Sequence, residues 1–290
     1  MNTKTIAEVA SKVPAVTLGF WVVKILATTL GETGGDAVSM SWLGETTAEA
    51  GSNGLNGYLV GTAIFLPLLG LLVWFQIKAK SYNPWLYWAT IIASTTAGTT
   101  MADFVTRSMG IGYPGGSILL FALVMISLLV WHRAVGTISV DRIVSAKAEA
   151  FYWGTITFSQ TLGTALGDWT VDDPNLGGLI GRIMGAWSVE GGGLGYLGGA
   201  ILFGGILLAL ALLARFTKIS RVGLFWAAFI LTRPLGATVG DFLDKPLAKG
   251  GLDFSRPVAT AVLLVVIVLL IVLLPQRAGS HPSNEAAIDS

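Results

Sequence analysis

Residues 20–38 read FWVVKILATTLGETGGDAV, an apolar run ending in two carboxylates four residues apart, Glu32 and Asp36, with Lys24 on the same helical stripe. The stretch returns three times without a gap, as LYWATIIASTTAGTTMADFV at 86–105, FYWGTITFSQTLGTALGDW at 151–169 and LFWAAFILTRPLGATVGDFL at 224–243. In every copy a Gly follows the Trp by ten residues and an Asp by fifteen: Trp21, Gly31, Asp36; Trp88, Gly98, Asp103; Trp153, Gly163, Asp168; Trp226, Gly236, Asp241. A spacing held through four copies marks an internal repeat, so the fold is one unit used four times. Weaker echoes at GYLVG (57–61), GYPGG (112–116) and GYLGG (195–199), with DFSRP (253–257) in the fourth place, give each unit a second element.

The chain around these copies is apolar. Of its 290 residues 53% are hydrophobic and 12% charged, with a mean hydropathy of +0.71, which excludes an ordinary soluble domain. The runs ILLFALVMISLLV (118–130), LGGAILFGGILLALALL (197–213) and VATAVLLVVIVLLIVLL (258–274), with their flanks, reach the roughly 20 residues that cross a bilayer as a helix. Alternation of the kind barrel strands need is absent, and a helix satisfies its own backbone in lipid. The expectation is an all-α polytopic membrane bundle of eight transmembrane helices near 15–36, 57–77, 84–105, 113–132, 149–169, 193–214, 221–242 and 257–274. Four tandem helix pairs, about 15–80, 81–135, 147–215 and 220–275, enter the membrane facing the same way. They are therefore expected to be parallel repeats with pseudo-rotational symmetry about the membrane normal, not inverted ones. Residues 1–277 form a single transmembrane domain, and 278–290 read as a disordered cytoplasmic tail. The N-terminus lacks the pattern of a cleaved signal peptide, so the first apolar run is expected to remain as helix 1.

Basic residues set the direction. Lys4, Lys12, Lys78, Lys80, Arg133, Arg142, Lys147, Arg215, Lys218, Arg221 and Arg277 fall on one side, against Arg107, Arg182, Lys245, Lys249 and Arg256 on the other, which puts both termini in the cytoplasm. The outer loops carry acid instead: Glu45, Glu49, Asp172, Asp173, Glu190, Asp244 and Asp253.

Steps of three and then four residues from each Trp follow one helical face. The four faces read Trp21, Lys24, Thr28, Glu32, Asp36; Trp88, Ile91, Thr95, Thr99, Asp103; Trp153, Ile156, Gln160, Thr164, Asp168; and Trp226, Phe229, Arg233, Ala237, Asp241. A face this polar belongs inside the bundle or against a cavity. At 1.5 Å per residue the Asp lie about 22 Å beyond the Trp, near the outer helix ends, with Glu32 and the tier of Thr28, Thr95, Gln160 and Arg233 deeper. Pro234 after Arg233 is expected to kink its helix. Five carboxylates then face two bases, Lys24 and Arg233, an interior excess that suits a cation path. The alternative is that the charges neutralise one another as a structural network. The four Trp are expected as headgroup-level anchors, with an aromatic cage for an organic cation or packing against a neighbouring unit as the other readings.

Cysteine is absent, and the two histidines, His132 and His281, lie off the stripe, so soft and borderline metals are poorly served. Carboxylate, hydroxyl and amide oxygens suit Mg²⁺, Mn²⁺, Ca²⁺, Na⁺ or a proton. No motif requires a cofactor, and a bound divalent cation (Mg, Mn or Ca) is among those the ligand types admit. Enzyme signatures are missing: no H-E-x-x-H, no phosphate loop, no His on the repeated face, and no segment for nucleic-acid binding.

The tryptophans at 21, 88, 153 and 226, with the endings LGETGGD, TAGTTMAD, LGTALGD and LGATVGD, resemble a bacterial membrane-protein repeat of unknown function, found four times in tandem, each copy having two transmembrane regions and a conserved tryptophan. The resemblance implies architecture and a multi-pass place in the bacterial inner (cytoplasmic) membrane, and no activity. Glu32, Gln160 and Arg233 depart from a uniform repeat, so the units have specialised.

The leading expectation is a gradient-driven transporter or permease for a small hard cation. Its metal ligands would be Glu32, Asp36, Asp103, Asp168 and Asp241, with Lys24, Thr28, Thr95, Thr99, Gln160, Thr164 and Arg233 supporting or gating. The alternatives are a noncatalytic scaffold or partner subunit with an internal charge network, and a transporter of an organic amine. The lipid bilayer and the cation are the expected partners, and glycine-rich faces leave a homo-oligomer open.

Overall fold

The computed structural model describes residues 8–44, 56–184 and 193–282. Glu45, Glu49 and Glu190 of the outer loops, Lys4, and the tail from 283 lie outside the described residues. Nine α-helices are present there: α1 (Leu18–Asp36), α2 (Gly57–Lys78), α3 (Pro84–Asp103), α4 (Gly112–Val135), α5 (Ala146–Asp172), α6 (Leu176–Met184), α7 (Gly195–Phe216), α8 (Arg221–Asp244) and α9 (Arg256–Leu273). All but α6 fall on the intervals read from the apolar runs. The short α6 was not expected; it starts in the polar linker, where Asp173 Oδ1 accepts from the backbone N–H of Asn175 at 2.8 Å and of Leu176 at 2.9 Å. Local chemistry starts the others: Thr17, Asn56, Asn83, Ser145 and Ser220 each accept a first-turn N–H, which an apolar residue there could not do. Gly136, with φ at +84°, ends α4 in a left-handed turn.

Four helices make an inner ring, α1 against α3, α3 against α5, α5 against α8 and α8 against α1. The second helix of each unit leans outward on the first helix of the following unit: α2 on α3, α4 on α5, α7 on α8, and α9 back on α1. Burial follows this division. The ring interior is filled with hydroxyls and charges, while the outer helices expose large apolar side chains such as Ile118, Leu208 and Val262. A polar interior under an apolar surface reverses the usual soluble pattern and is what a hydrocarbon solvent selects. Five helices, α2, α4, α7, α8 and α9, are long and apolar enough to cross a membrane.

Small residues let the ring close. A methyl group at Gly31 would overlap Thr95, one at Gly98 would overlap Gln160, one at Gly163 Arg233, and one at Gly236 Thr28. The glycine ten residues after each Trp thus meets the seventh residue after the next unit's Trp, at all four seams. One turn further, Gly35 meets Thr99, Gly167 meets Ala237 and Gly240 meets Glu32. This is small-xxx-small packing. Hydrogen bonds repeat as well: Thr95 Oγ1 donates to the Ala27 carbonyl at 3.1 Å, and Thr28 Oγ1 to the Thr232 carbonyl at 3.2 Å, each acceptor lying six residues after its Trp.

Strands β1 (Glu8–Pro14) and β2 (Ala278–Pro282) pair antiparallel and join the two ends of the chain beside the α4–α5 connection. This corrects the expectation of a tail disordered from 278: its first residues gain backbone partners that polar composition does not reveal. Immediately after Asp36 and Asp103, α1 and α3 widen into π-helical turns, Ala37–Trp42 and Phe104–Ser108, a feature common at functional positions.

Candidate functional site

The ring is layered along the stripe. The end beside the two strands, the inner one by the Lys and Arg bias, is closed by aromatic rings. Trp88, Trp153 and Trp226 are buried and pack with Phe20, Tyr87, Trp131, Tyr152, Phe225 and Phe229 at centroid distances of 5.1–6.4 Å. Two of the indoles are satisfied from the chain, Trp88 Nε1 donating to Gln276 Oε1 at 3.2 Å and Trp226 Nε1 to the Ile138 carbonyl at 2.9 Å. Only Trp21 is partly exposed. Headgroup anchoring is therefore not their position. They fill the wide end of a bundle whose glycines narrow the middle, the neighbour-packing alternative.

The next layer holds Lys24, Ile91, Ile156 and Phe229, none with any exposure. Lys24 Nζ lies 3.4 Å from Thr232 Oγ1 and 4.2 Å above the Phe229 ring, and has no carboxylate partner among the described residues. Above it sit Thr28, Thr95, Gln160 and Arg233, then Glu32, Thr99, Thr164 and Ala237. Arg233 spans both layers: Nη1 donates to Glu32 Oε2 at 3.0 Å, and Nη2 to Thr99 Oγ1 at 2.6 Å and to the Thr95 carbonyl at 3.4 Å. It thus ties α8 to α1 and, across the ring, to α3. Around Pro234, α8 runs on as one helix, and the residue supplies no N–H for the Ile230 carbonyl. Both side-chain termini of Gln160, and Thr164 Oγ1, have no hydrogen-bond partner among the described residues.

At the outer layer all four repeat aspartates are buried, and bases stand between them. Arg107 bridges Asp103 (Nε to Oδ1, 3.3 Å) and Asp168 (Nη2 to Oδ2, 2.9 Å). Lys245 Nζ bridges Asp36 Oδ2 at 2.5 Å and Asp241 Oδ1 at 2.9 Å, with Asp244 Oδ1 at 3.9 Å, and Arg256 Nε reaches Asp244 Oδ2 at 3.5 Å. Two groups of carboxylates have oxygens all within 4.8 Å of one another, Glu32 with Asp168 and Asp241, and Asp36 with Asp241 and Asp244.

The structure corrects the charge count. Arg107, Lys245 and Asp244, read from sequence as loop residues, lie at the ring mouth, so the five stripe carboxylates and Asp244 face four bases, Lys24, Arg107, Arg233 and Lys245, with Arg256 beside them. Helical continuation is the cause: α8 runs on to Asp244 and the π-helical turn extends α3, so the residue four beyond Asp103 and Asp241 stays on the inner face. One further step of four along the stripe, to Met40, Arg107, Asp172 and Lys245, would have found the two bases. The bases occur in the second and fourth units only. Seams α3–α5 and α8–α1 are therefore clasped by a cation at their outer ends.

An apolar shell, a polar core and tandem helix pairs define an integral membrane protein built from repeats. Four stretches, residues 19–82, 86–137, 151–220 and 224–277, match the family described as Repeat of Unknown Function (DUF347), each match opening two residues before a repeat Trp. The chain belongs to that family. Neither a curated protein nor a solved structure matches it.

Proposed function

We propose that the protein carries a small hard cation across the bacterial inner membrane, down or against a gradient, along the carboxylates of the inner ring. In this reading eight helices cross the bilayer: α1, α3 and α5 are long enough, and their polar faces meet the ring and not lipid. The four units are then related by rotation about the membrane normal, which the recurring seam contacts support, and both termini are cytoplasmic by the bias of Lys and Arg.

One observation carries the reading: Glu32, Asp168 and Asp241, on three different inner helices, bring oxygens within 4.8 Å of one another in a buried layer. Hard oxygen donors at this density suit Mg²⁺, Mn²⁺, Ca²⁺ or Na⁺. The bases keep the ring close to neutral between ions, since unpaired buried carboxylates are expensive. Lys245 stands among Asp36, Asp241 and Asp244 as a tethered ammonium, and an incoming ion displaces it before reaching Glu32. The aromatic end is closed, so the present form is sealed at its inner side. The pairing of each carboxylate with a base also favours a second reading, a noncatalytic scaffold held by an internal charge network.

Proteoliposomes separate the two. The wild-type protein is expected to pass at least one of Mg²⁺, Mn²⁺, Ca²⁺ and Na⁺, and Glu32→Gln and Asp168→Asn are each expected to abolish that flux while eluting as folded particles. Unchanged flux in both variants rejects the carboxylate path. A wild type with no flux, and no ion that raises its melting temperature, rejects transport and leaves the scaffold.

A further inference from the structure

Away from the ring, a groove of about 920 Å³ runs between α1, α7 and α8 at the inner end of the bundle. Its walls are apolar, with Leu18 and Trp21 from α1, Leu207 and Ala211 from α7, and Phe225 from α8, and Arg221 stands at its mouth. Thr232 marks the far end, eleven residues along α8, so the groove is about 16 Å long at 1.5 Å per residue. That is half of the about 30 Å of bilayer hydrocarbon, the depth of a single leaflet. The mouth has a sign as well. Arg221 is exposed at the first turn of α8, whose aligned peptide dipoles add positive potential; Arg215 lies in the last turn of α7 and Lys218 in the connection between the two helices. None of these three forms an ion pair among the described residues. Ser139 and Asp141 also line that end, so the lining itself holds one base, Arg221, and one acid, and Arg215 and Lys218 lie outside it.

We propose that this groove holds one anionic membrane phospholipid, its headgroup at Arg221 and an acyl chain lying along Leu207, Ala211 and Trp21. An anionic headgroup near a membrane-proximal base gains about fivefold in affinity per base, and an apolar cleft one leaflet deep orders a chain that ordinary surface lipid leaves free. The site is independent of the cation reading, because its residues share nothing with the carboxylate ring except Thr232, whose hydroxyl faces Lys24.

Trp21 is a built-in reporter, partly exposed on the groove wall. The full chain in nanodiscs is compared with Trp21→Phe, and the difference emission is titrated with brominated phosphatidylglycerol or brominated phosphatidylcholine at equal mole fraction. The expected result is quenching at about fivefold lower fraction for the anionic lipid, with the two lipids made equal by Arg221→Gln. Native mass spectrometry of detergent-released protein supplies a second readout: one retained phosphatidylglycerol in the wild type, and none in Arg221→Gln or in the groove-filling Ala211→Phe. Equal quenching by both lipids in the wild type, or an anionic preference that survives Arg221→Gln, overturns the proposal.

Discussion

The outer and inner halves of the ring are built from the same four helices with opposite chemistry. From Arg233 outward the layers are held by charge, with Arg107 and Lys245 each shared among carboxylates and hydroxyls between them. From Lys24 inward they are held by volume, with Ile91, Ile156, Phe229 and the indoles filling the axis. Charge networks have alternative pairings of similar energy, whereas packed rings have one. The difference teaches that one set of four helices can be held by exchangeable ion pairs at one end and by fixed volume at the other.

Substitutions can break this contrast. The largest effect is expected for Arg233→Met, which leaves Glu32 buried without its cation and should cost about 3–5 kcal/mol in a detergent-unfolding assay; adding Glu32→Gln should recover most of it. Failure of the second substitution to restore stability would mean that Arg233 acts by packing, and the outer half would then resemble the inner. Ile91→Ala removes volume from the inner plug and should cost about 2–5 kcal/mol, with no rescue by any charge change. Gly98→Val tests the seam common to both halves. Its side chain would collide with Gln160, at about 1–3 kcal/mol, and a measured melting temperature equal to wild type would refute close helix contact there. The smallest effect belongs to Tyr87→Phe, which deletes the 2.7 Å bond between the Tyr87 and Tyr152 hydroxyls for about 1 kcal/mol, leaving the contacts of both rings with Trp153 in place.

Much of this was legible because repetition and helical period reinforce each other. The Trp, Gly and Asp of four copies fixed the helix intervals and the buried stripe, and Glu32 and Arg233 stood out as departures from it. What was not legible depends on the third dimension. Arg107 and Lys245 were read as loop bases since nothing in composition announces that a helix runs on past its aspartate, or widens into a π turn. Tryptophans a few residues inside a helix start look the same whether they meet headgroups or one another; ring closure decides, turning Trp88 and Trp153 inward. The β1–β2 pairing joins segments separated by nearly the whole chain, and neither strand has an alternating pattern.

The outward lean of each second helix onto the next unit has a consequence for biosynthesis. α1, carrying Lys24 and Glu32, is made long before α9, the helix that shields its flank. Until α9 is made, Lys24, Glu32 and Asp36 stand at an open edge, and a chain lacking α9 leaves the circle unfinished. Insertion must therefore tolerate α1 in a provisional setting, and the completed protein is committed as a whole, not unit by unit.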